Sequence, residues 1–506
     1  MVAAVRFSQH ASEVELKLEF SPADMARLVS HQALTPNLAP PEERVLVSTY
    51  FDTPNCALHE AGFYLRVREV GGRFLQTIKT AKSRIDPLER FEWERELPSR
   101  QPDLDAAKGT ALEPLLTAEI RAALQPVFET RIRRRTHRLG SGDVEIEAAF
   151  DRGDISTRDQ MCPICELELE LKRGQKRDLF RVARAVANDI PLRLEIKTKA
   201  ERGFELYAKR RLEPEKAIPV HIPPATPAGE AFRLIALSCL RQIVANEPAV
   251  CAGQAEALHQ MRIGVRRLRA AIAIFADFVD GEASRKVKTE LRWIMRQLGP
   301  ARELDVFAAD VLASLRSGPE IPGATTLARD FEERRKAAYT TAVEAILSHR
   351  FRTAILDIAE WIETGAHLRE VAVPVAEHAS TKLAKLRKRI KRKGADLRHL
   401  SVAKQHRLRI AAKRLRYATE FFAGTFSGAA AEKLRNEALK ALKDLQDSLG
   451  GLNDLATHRA LIADHAGSSA GSAPSHLVAE ERAEALLEKA EQAFARFAAV
   501  KPFWKT

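Results

Sequence analysis

The sequence predicts a multidomain protein, with an N-terminal α+β domain built on a closed antiparallel β-barrel and a C-terminal all-α domain of two related halves. In the first half, charged and apolar residues alternate with the period of two that is typical of strands. From residue 229 onward, Ala, Leu, Glu, Arg and Lys dominate with helical spacing, and a basic motif recurs at an offset of 147 residues. We therefore place a first domain at residues 1–211, a proline-rich linker at 212–228 and a helical domain at 229–506, with halves of about 229–370 and 371–506.

The first predicted strand opens with the sequence EVELK at residues 13–17. Side chains at i, i+2 and i+4 of a strand point to the same side, so Glu13, Glu15 and Lys17 share one face. Val14 and Leu16 lie on the opposite face. Two carboxylates and an ammonium group therefore line one wall.

The same alternation recurs along other predicted strands. Like charges at i, i+2 repel each other, so this many carboxylates would destabilise a sheet that offered no compensation. A closed barrel with a polar lumen resolves the repulsion, with a divalent cation on carboxylates at one side and a polyanion on Arg and Lys at the other. The alternating charged residues of these other strands are Arg66, Arg68, Lys79, Glu92, Glu94, Glu145, Glu147, Glu166, Glu168, Glu170, Lys197 and Lys199.

The remaining elements follow from capping and turn residues. Ser21 and Pro22 are typical of the cap and the first position of a helix, so we predict a helix at 21–31. Gly71-Gly72, between two alternating runs, predicts a hairpin turn, and Gly140-Ser141-Gly142 predicts another turn. The predicted strands are 12–20, 44–52, 62–70, 73–80, 88–97, 128–139, 143–150, 153–158, 164–172 and 191–198, and further helices are 112–124 and 176–189.

Eight motifs in combination resemble the CYTH domain, the triphosphate tunnel metalloenzyme family, over about residues 10–210. This resemblance implies hydrolysis of a triphosphate with Mg²⁺ or Mn²⁺, a reaction that needs positioned phosphates and neutralised charge. The motifs are ExExK at 13–17, YFDT at 50–53, LRVR at 65–68, Lys79, FEWE at 91–94, DRG at 151–153, ELELELK at 166–172 and KAERG at 199–203.

The resemblance also implies roles for individual residues. The register of the strand at 130–138 leaves Arg133 and Arg134 as alternatives for one phosphate contact. The catalytic candidates are Lys17, which also holds the phosphates, and Glu92, Glu94 and Asp151, which complete the lumen or position water. The implied metal ligands are Glu13, Glu15, Glu166, Glu168 and Glu170, and the implied substrate-binding residues are Lys17, Arg66, Arg68, Lys79, Arg133 and Lys199.

The net charge of +13 comes almost entirely from the second half, where 45 Lys and Arg stand against 33 Asp and Glu after residue 220. Such asymmetry predicts a polyanionic partner for that half. HQMRIGVRRLR at 259–269 and HRLRIAAKRLR at 406–416 repeat one spacing, which places four cations on a single helix stripe. These cations are His259, Arg262, Arg266 and Arg269 in the first copy, and His406, Arg409, Lys413 and Arg416 in the second.

These copies, together with LGPARELD at 298–305 and LGGLNDLA at 449–456, resemble the CHAD domain over about residues 230–500. Glu303 stands where that family usually has Asp, which keeps the charge. The resemblance implies binding of inorganic polyphosphate along a basic groove between the halves, without catalysis. Arg suits bidentate contacts with phosphate. A solvated basic face remains the alternative for any single helix.

The predicted function is metal-dependent hydrolysis of inorganic triphosphate in the tunnel, with polyphosphate bound by the helical domain. The alternatives are a non-catalytic polyphosphate-binding adaptor, or a tunnel enzyme acting on thiamine triphosphate or ATP. Nucleic acid is disfavoured as a partner because the basic motifs contain few aromatic residues for stacking on bases. We expect a cytoplasmic protein, with docking to polyphosphate granules, and no membrane partner. The sequence leaves the oligomeric state open.

Overall fold

A computed structural model of the chain describes residues 8–9, 14–80, 92–210, 212–309, 324–365, 368, 373–466 and 473–505. The N-terminal part is an antiparallel sheet with short helices, and the C-terminal part is helical, as the sequence predicts. The segment between the last helix of the first part and residue 228 is largely without helix or strand. Glu13 lies outside the described residues.

The described strands form one sheet in which every paired neighbour is antiparallel. Their order is β1-β6-β5-β4-β3-β7-β8-β9-β2-β10. Closure of the barrel is not confirmed, because within the described residues this order has two ends, β1 and β10. The strands are β1 Ser8–Gln9, β2 Glu15–Glu19, β3 Ala39–Asp52, β4 Phe63–Val70, β5 Arg73–Thr80, β6 Glu92–Leu97, β7 Gln125–Ser141, β8 Val144–Ser156, β9 Met161–Arg173 and β10 Arg193–Glu195.

The predicted hairpin between β4 and β5 is confirmed. Gly71 and Gly72 both have positive φ angles, 55° and 81°, which a glycine adopts without steric cost. The strands predicted at 143–150 and 153–158 are instead one continuous strand, β8. Gly153, within β8, has no side chain, and this lets the strand pair closely with β7. A Cβ atom at this position would lie only 1.9 Å from the carbonyl oxygen of Arg131 on β7.

The strand predicted at 191–198 is wrong in its second part. Pairing ends at Glu195, and a helix that the sequence did not indicate begins at Lys199. Thr198 caps that helix, because its side chain accepts the backbone N–H of Glu201 while the Glu201 carboxylate accepts the N–H of Thr198. The helices of the N-terminal part are α1 Met25–Val29, α2 Ala57–Glu60, α3 Ala118–Ala123, α4 Lys176–Asp189 and α5 Lys199–Tyr207, with 3₁₀ turns at Pro22–Asp24, Gln32–Leu34, Asp105–Ala107 and Glu113–Leu115.

Both copies of the basic motif lie on long helices, α8 and α15, as predicted. These two helices contact each other, because Arg267 on α8 donates to Glu420 on α15 at 2.9 Å. The helices of the C-terminal part are α6 Ala228–Val244, α7 Glu247–Cys251, α8 Ala255–Ile274, α9 Ala276–Val279, α10 Glu282–Gln297, α11 Gly299–Phe307, α12 Ala324–Leu347, α13 His349–Thr364, α14 Val375–Lys393, α15 Val402–Phe421, α16 Ala429–Ala466 and α17 Ala473–Ala499, followed by a 3₁₀ turn at Phe503–Lys505.

One hydrophobic core joins the two parts. The apolar face of the sheet, including Leu18 and Leu167, packs against Phe180 of α4, and the same cluster continues to Phe232 of α6. The helical stretch 228–251 has the length and apolar composition of a membrane span, but 78% of its most apolar window is buried inside the protein. The polar face of the sheet is thereby left to line a cavity on its other side.

Candidate functional site

The concave face of the sheet encloses a cavity of about 1170 Å³. Ten basic and ten acidic side chains line it, so the two kinds of charge are equal in number but differ in position. The basic lining residues are Lys17, Arg44, Arg66, Arg68, Arg73, Lys79, Arg134, Arg138, Lys199 and Arg241. The acidic ones are Glu15, Glu42, Glu43, Glu94, Glu96, Glu147, Asp151, Glu168, Glu170 and Glu201.

Three glutamates form a row across neighbouring strands of the cavity wall. Glu170 on β9 is directly opposite Glu15 on β2 on one side and Glu147 on β8 on the other. Directly opposite side chains in a sheet lie about 5 Å apart, where like charges destabilise the pairing unless cations lie nearby. Lys17 pairs with Glu15, and Lys172 pairs with Glu170. Glu147 was not among the predicted ligands, although its place in the alternating run at 144–147 could have indicated it.

A second acidic group lies deeper and is held by Lys199. The Nζ atom of Lys199 lies 2.6 Å from Glu166, 2.8 Å from Glu168 and 2.9 Å from Asp151. Burial alone would lower the pKa of Lys199, but the three carboxylates raise it well above its usual value. Lys199 is therefore cationic at neutral pH and lies on the first turn of α5.

Among the predicted metal ligands that the structure describes, Glu166 is the one whose carboxylate has no exposed surface. Arg202 on α5 donates to Glu166 at 2.6 Å, in addition to the contact from Lys199. Sequence reasoning missed Arg202, although it belongs to the KAERG motif. The paired and covered carboxylate of Glu166 therefore acts as an anchor for α5 in this structure.

The ambiguity on β7 is resolved in favour of Arg134, and the predicted role for Arg133 is corrected. Arg134 lines the cavity and donates to both carboxylate oxygens of Asp151, at 2.7 and 2.6 Å, and to Glu168. Burial lowers the pKa of Arg134, but Glu168 and Asp151 outweigh it and raise the pKa well above its usual value. Arg133 is exposed on the opposite face of the strand, because neighbouring strand residues alternate in direction.

The opposite wall, formed by β4 and β5, is basic. Arg66, Arg68 and Lys79 all line the cavity there, as predicted. Burial, and then the neighbouring Arg66 and Arg134, lower the pKa of Arg68 to about 9. The Nε atom of Arg66 is buried and makes no hydrogen bond within the described residues. Such buried, crowded guanidinium groups favour an anion between them.

Glu92 and Glu94 lie two residues apart on β6. The carboxylate of Glu94 lines the cavity, accepts the Thr77 hydroxyl at 3.0 Å and lies 3.8 Å from Arg66. Glu92 is opposite Lys79 in the strand register. Within the described residues, no three His, Cys, Asp or Glu side chains are gathered closely enough to form a metal site.

In the helical part, the first basic stripe is half-buried and short of partners. His259, Arg262 and Arg266 are partly buried, whereas Arg269 is exposed. His259 Nδ1 and the Nε atoms of Arg262 and Arg266 are buried without a hydrogen bond in the part of the chain that the structure describes. Burial, followed by Arg302 and Arg266, lowers the pKa of His259 to about 4. The stripe therefore concentrates positive charge, and several of its own buried nitrogen atoms make no hydrogen bond within the described residues.

The second stripe repeats a specific contact of the first. A guanidinium nitrogen of Arg262 lies 3.6 Å from the position of a Cβ atom on Gly299, and one of Arg409 lies 3.5 Å from that on Gly450. Each arginine therefore covers the glycine of the LG motif in its own half. The remaining residues of the second stripe are His406, which is exposed, and Lys413 and Arg416, which are partly buried.

Comparison with known proteins agrees with this division. Residues 11–204 match the model of the CYTH domain, and residues 234–463 match that of the CHAD domain. An inorganic triphosphatase of Haemophilus influenzae is 29% identical over 201 residues, which are 40% of this chain and 56% of that protein. The chain thus spans about half the length of this curated relative.

Two solved structures are also similar to this chain. A CHAD domain from the plant Ricinus communis is 28% identical, with a TM-score of 0.48, over 57% of this chain and 98% of that one. A putative adenylyl cyclase from Hippeastrum, described as having a dominant triphosphatase activity, is 15% identical, with a TM-score of 0.30, over 40% of this chain and 98% of that one.

Proposed function

Because this chain carries a CYTH domain followed by a CHAD domain, we propose that it hydrolyses inorganic triphosphate in the sheet cavity and binds inorganic polyphosphate on its helical part. The boundary between the two lies in the proline-rich segment 212–228. The 29% identity of the N-terminal part to an inorganic triphosphatase supports the proposed substrate. Hydrolysis of ATP or thiamine triphosphate in the same cavity is the alternative.

The observation that carries the proposal is the separation of charge across the cavity. Arg66 and Arg68 lie on β4, whereas the glutamate row lies on β2, β8 and β9. The depressed pKa of Arg68 and the buried Nε atom of Arg66, which makes no hydrogen bond within the described residues, indicate that the positive charge of this wall is only partly compensated. A triphosphate between the walls would supply negative charge to one wall and, with a cation, relieve the repulsion on the other.

The residues of the chain would act mainly by positioning and neutralisation. Arg66, Arg68 and Lys79 would hold phosphate oxygens, and Arg134 and Lys199 would orient Asp151 and Glu168 at the acidic wall. Water would attack the terminal phosphorus as its P–O bond to the bridging oxygen breaks, so that orthophosphate forms, pyrophosphate leaves, and the proton lost by the water passes to the pyrophosphate or to solvent. Glu94, close to Arg66 and fixed by Thr77, would orient the attacking water.

A divalent cation fits the donor set of the acidic wall. Glu15 and Glu170, with Glu147 beside them, present the carboxylate oxygens that Mg²⁺ and Mn²⁺ prefer. When bound, the ion would neutralise charge on the phosphate oxygens. Lys17, which pairs with Glu15 and lines the cavity, would hold a phosphate oxygen of the substrate.

The helical part would bind polyphosphate through the two basic stripes. The buried guanidinium and imidazole nitrogens of both stripes that lack hydrogen-bond acceptors within the described residues support this role. They belong to His259, Arg262, Arg266, Arg409 and Arg416.

The test is phosphate release from tripolyphosphate, ATP and thiamine triphosphate with Mg²⁺ or Mn²⁺, for the wild type and for Glu15→Gln and Lys17→Ala. We expect hydrolysis of tripolyphosphate above that of the other two, dependent on the metal and lost in both variants. Arg133→Ala, on the outer face of β7, is the matched control and should remain active.

The proposed enzymatic activity would be contradicted if none of the three compounds were hydrolysed while long-chain polyphosphate still bound. That outcome would leave a non-catalytic adaptor. A preference for ATP or thiamine triphosphate would instead identify an organic substrate for the same cavity.

A further inference from the structure

One cavity residue comes from the helical part of the chain. Arg241 lies on α6, is only 8% exposed and lines the cavity beside the end of the sheet at β10. Its Nη2 atom donates to Glu201 at 2.8 Å, its Nη1 to the carbonyl oxygen of Ile196 at 3.5 Å, and its Nε to Glu215 at 3.4 Å. The helical part therefore contributes to the wall of a cavity that is otherwise built from the sheet part.

The partner of Arg241 is Glu201, which completes the capping box of α5 with the N-cap residue Thr198. One oxygen of the Glu201 carboxylate accepts the N–H of Thr198 at 2.8 Å, and the other accepts Arg241. Lys199 lies between Thr198 and Glu201 in the same turn. Any rotation of Glu201 away from Thr198 would loosen this turn, so Arg241 holds the cap in place from outside.

The chain of contacts ends at the acidic wall. Lys199, once fixed on the first turn of α5, reaches Asp151, Glu166 and Glu168 within 2.9 Å. A misplaced ammonium group would leave these carboxylates without their shared cation, and would change the charge that a triphosphate meets. The position of Lys199 thus depends on a guanidinium group about 40 residues further along the chain.

We infer that Arg241 is a positioning residue of the cavity: through Glu201 it orients Lys199, so that the helical part is required for full binding and hydrolysis of tripolyphosphate in the sheet part. This inference rests on the proposed function. A positioning role for Arg241 differs from that of a simple docking contact between the two parts. A docking contact would change the free energy of unfolding but would not change the position of Lys199.

A second ion pair between the two parts provides the matched control. Arg184 on α4 contacts Asp357 at 2.9 Å, and also Glu360, both on α13. These residues belong to α4 and α13 and make no part of the α5 cap. Arg184→Met should therefore remove an ion pair between the same two parts without displacing Lys199.

The experiment measures kcat, KM and the calorimetric Kd for tripolyphosphate in the full chain. Arg241→Met, which keeps much of the side-chain bulk but removes the charge, should lower kcat/KM and tripolyphosphate affinity by about tenfold, which is typical for a residue that orients a functional group. Arg241→Lys should restore most of both, and Arg184→Met should stay within about twofold of the wild type.

The double variant distinguishes positioning from docking. If Arg241 acts through Lys199, Arg241→Met should cause no further loss of affinity in a Lys199→Ala background. Equal effects of Arg241→Met and Arg184→Met, or an additive loss in the double variant, would overturn the inference. An active wild type with an unaffected Arg241→Met variant would overturn the inference alone. A wild type that neither hydrolyses nor binds tripolyphosphate would overturn the proposed function and this inference with it.

Discussion

The Nζ atom of Lys199 lies 2.6 Å from Oε2 of Glu166, a carboxylate with no exposed surface. This contact ties the first turn of α5 to the floor of the sheet. Arg202, one turn further along α5, holds the other oxygen of Glu166 at 2.6 Å. The KAERG motif is thus both a source of cavity charge and a structural anchor.

Replacing Lys199 should destabilise the protein. Lys199→Met leaves Glu166 and Asp151 buried with one cation fewer, and breaking a buried ion pair from one side costs about 3 kcal/mol. Urea denaturation at pH 7 measures the free energy of unfolding. The double variant Lys199→Met with Glu166→Gln should recover part of the loss, and a loss for the single variant below about 0.5 kcal/mol would contradict the buried cluster.

Gly203 should not tolerate a side chain. A Cβ atom on Gly203 would lie 2.1 Å from the Phe128 ring, so Gly203→Ala must push α5 away from β7. We expect a loss of about 1–3 kcal/mol in the free energy of unfolding, as for other overpacked sites, with reduced hydrolysis because Lys199 lies one turn earlier. Combining it with Phe128→Leu should relieve the clash, and an unchanged single variant would argue against this packing.

Glu147 should contribute to metal binding although it was not among the predicted ligands. In Glu147→Gln, the Mn²⁺ concentration for half-maximal tripolyphosphate hydrolysis should rise about tenfold, because the glutamate row loses one charge. Glu145→Gln is the control, since Glu145 lies on the same strand and pairs with Arg173 at 3.3 Å. A similar response of both variants would remove Glu147 from the proposed ligands.

Polyphosphate binding should strengthen as pH falls from 7 to 5. Burial, then Arg302 and Arg266, lower the pKa of His259 to about 4, and a bound polyanion would raise it again, so binding takes up a proton in this range. His259→Asn should flatten the pH dependence of the Kd, whereas the exposed His349→Asn should not. An equally steep profile in His259→Asn would show that another group titrates.

The same histidine should lower stability in acid. Its pKa is lower in the folded state than the 6.5 of the free side chain, so the unfolded state binds more protons between pH 6.5 and 4. The free energy of unfolding should therefore fall as pH decreases through this window, and fall less in His259→Asn. Urea denaturation at pH 7 and pH 4.5 compares the two proteins.

Arg262→Met and Arg409→Met should weaken polyphosphate binding to similar extents. The two arginines occupy equivalent places over Gly299 and Gly450, so each is expected to lower the affinity for long-chain polyphosphate by about 3- to 10-fold and to reduce its salt dependence. Arg158→Met, an exposed substitution in the sheet part, is the control. An effect confined to one half would contradict a groove shared by both.

Local patterns in the sequence determined most of the fold and part of the site. Alternation with a period of two identified which residues share a strand face, which is why Glu15, Lys17, Arg66, Arg68, Glu168 and Glu170 line the cavity together. The α4 helix also begins and ends at the predicted residues, 176–189. The helical repeat placed both basic stripes on long helices. These features depend on neighbours a few residues apart.

Tertiary structure decided what local patterns leave open. The arginine-rich stretch 131–135 contains one apolar residue, Ile132, so its sequence alone gives little indication of which arginines face the cavity. Pairing with β8 sets the register and places Arg134 in the cavity. Lys199 continues the strand pattern of Lys197, but the cap formed by Thr198 and Glu201 turns it into a helix. Arg241 reaches the cavity only because α6 packs beside β10. Each outcome depends on contacts between segments that are distant in the sequence. The free energies of such contacts cannot be inferred from a short stretch of sequence.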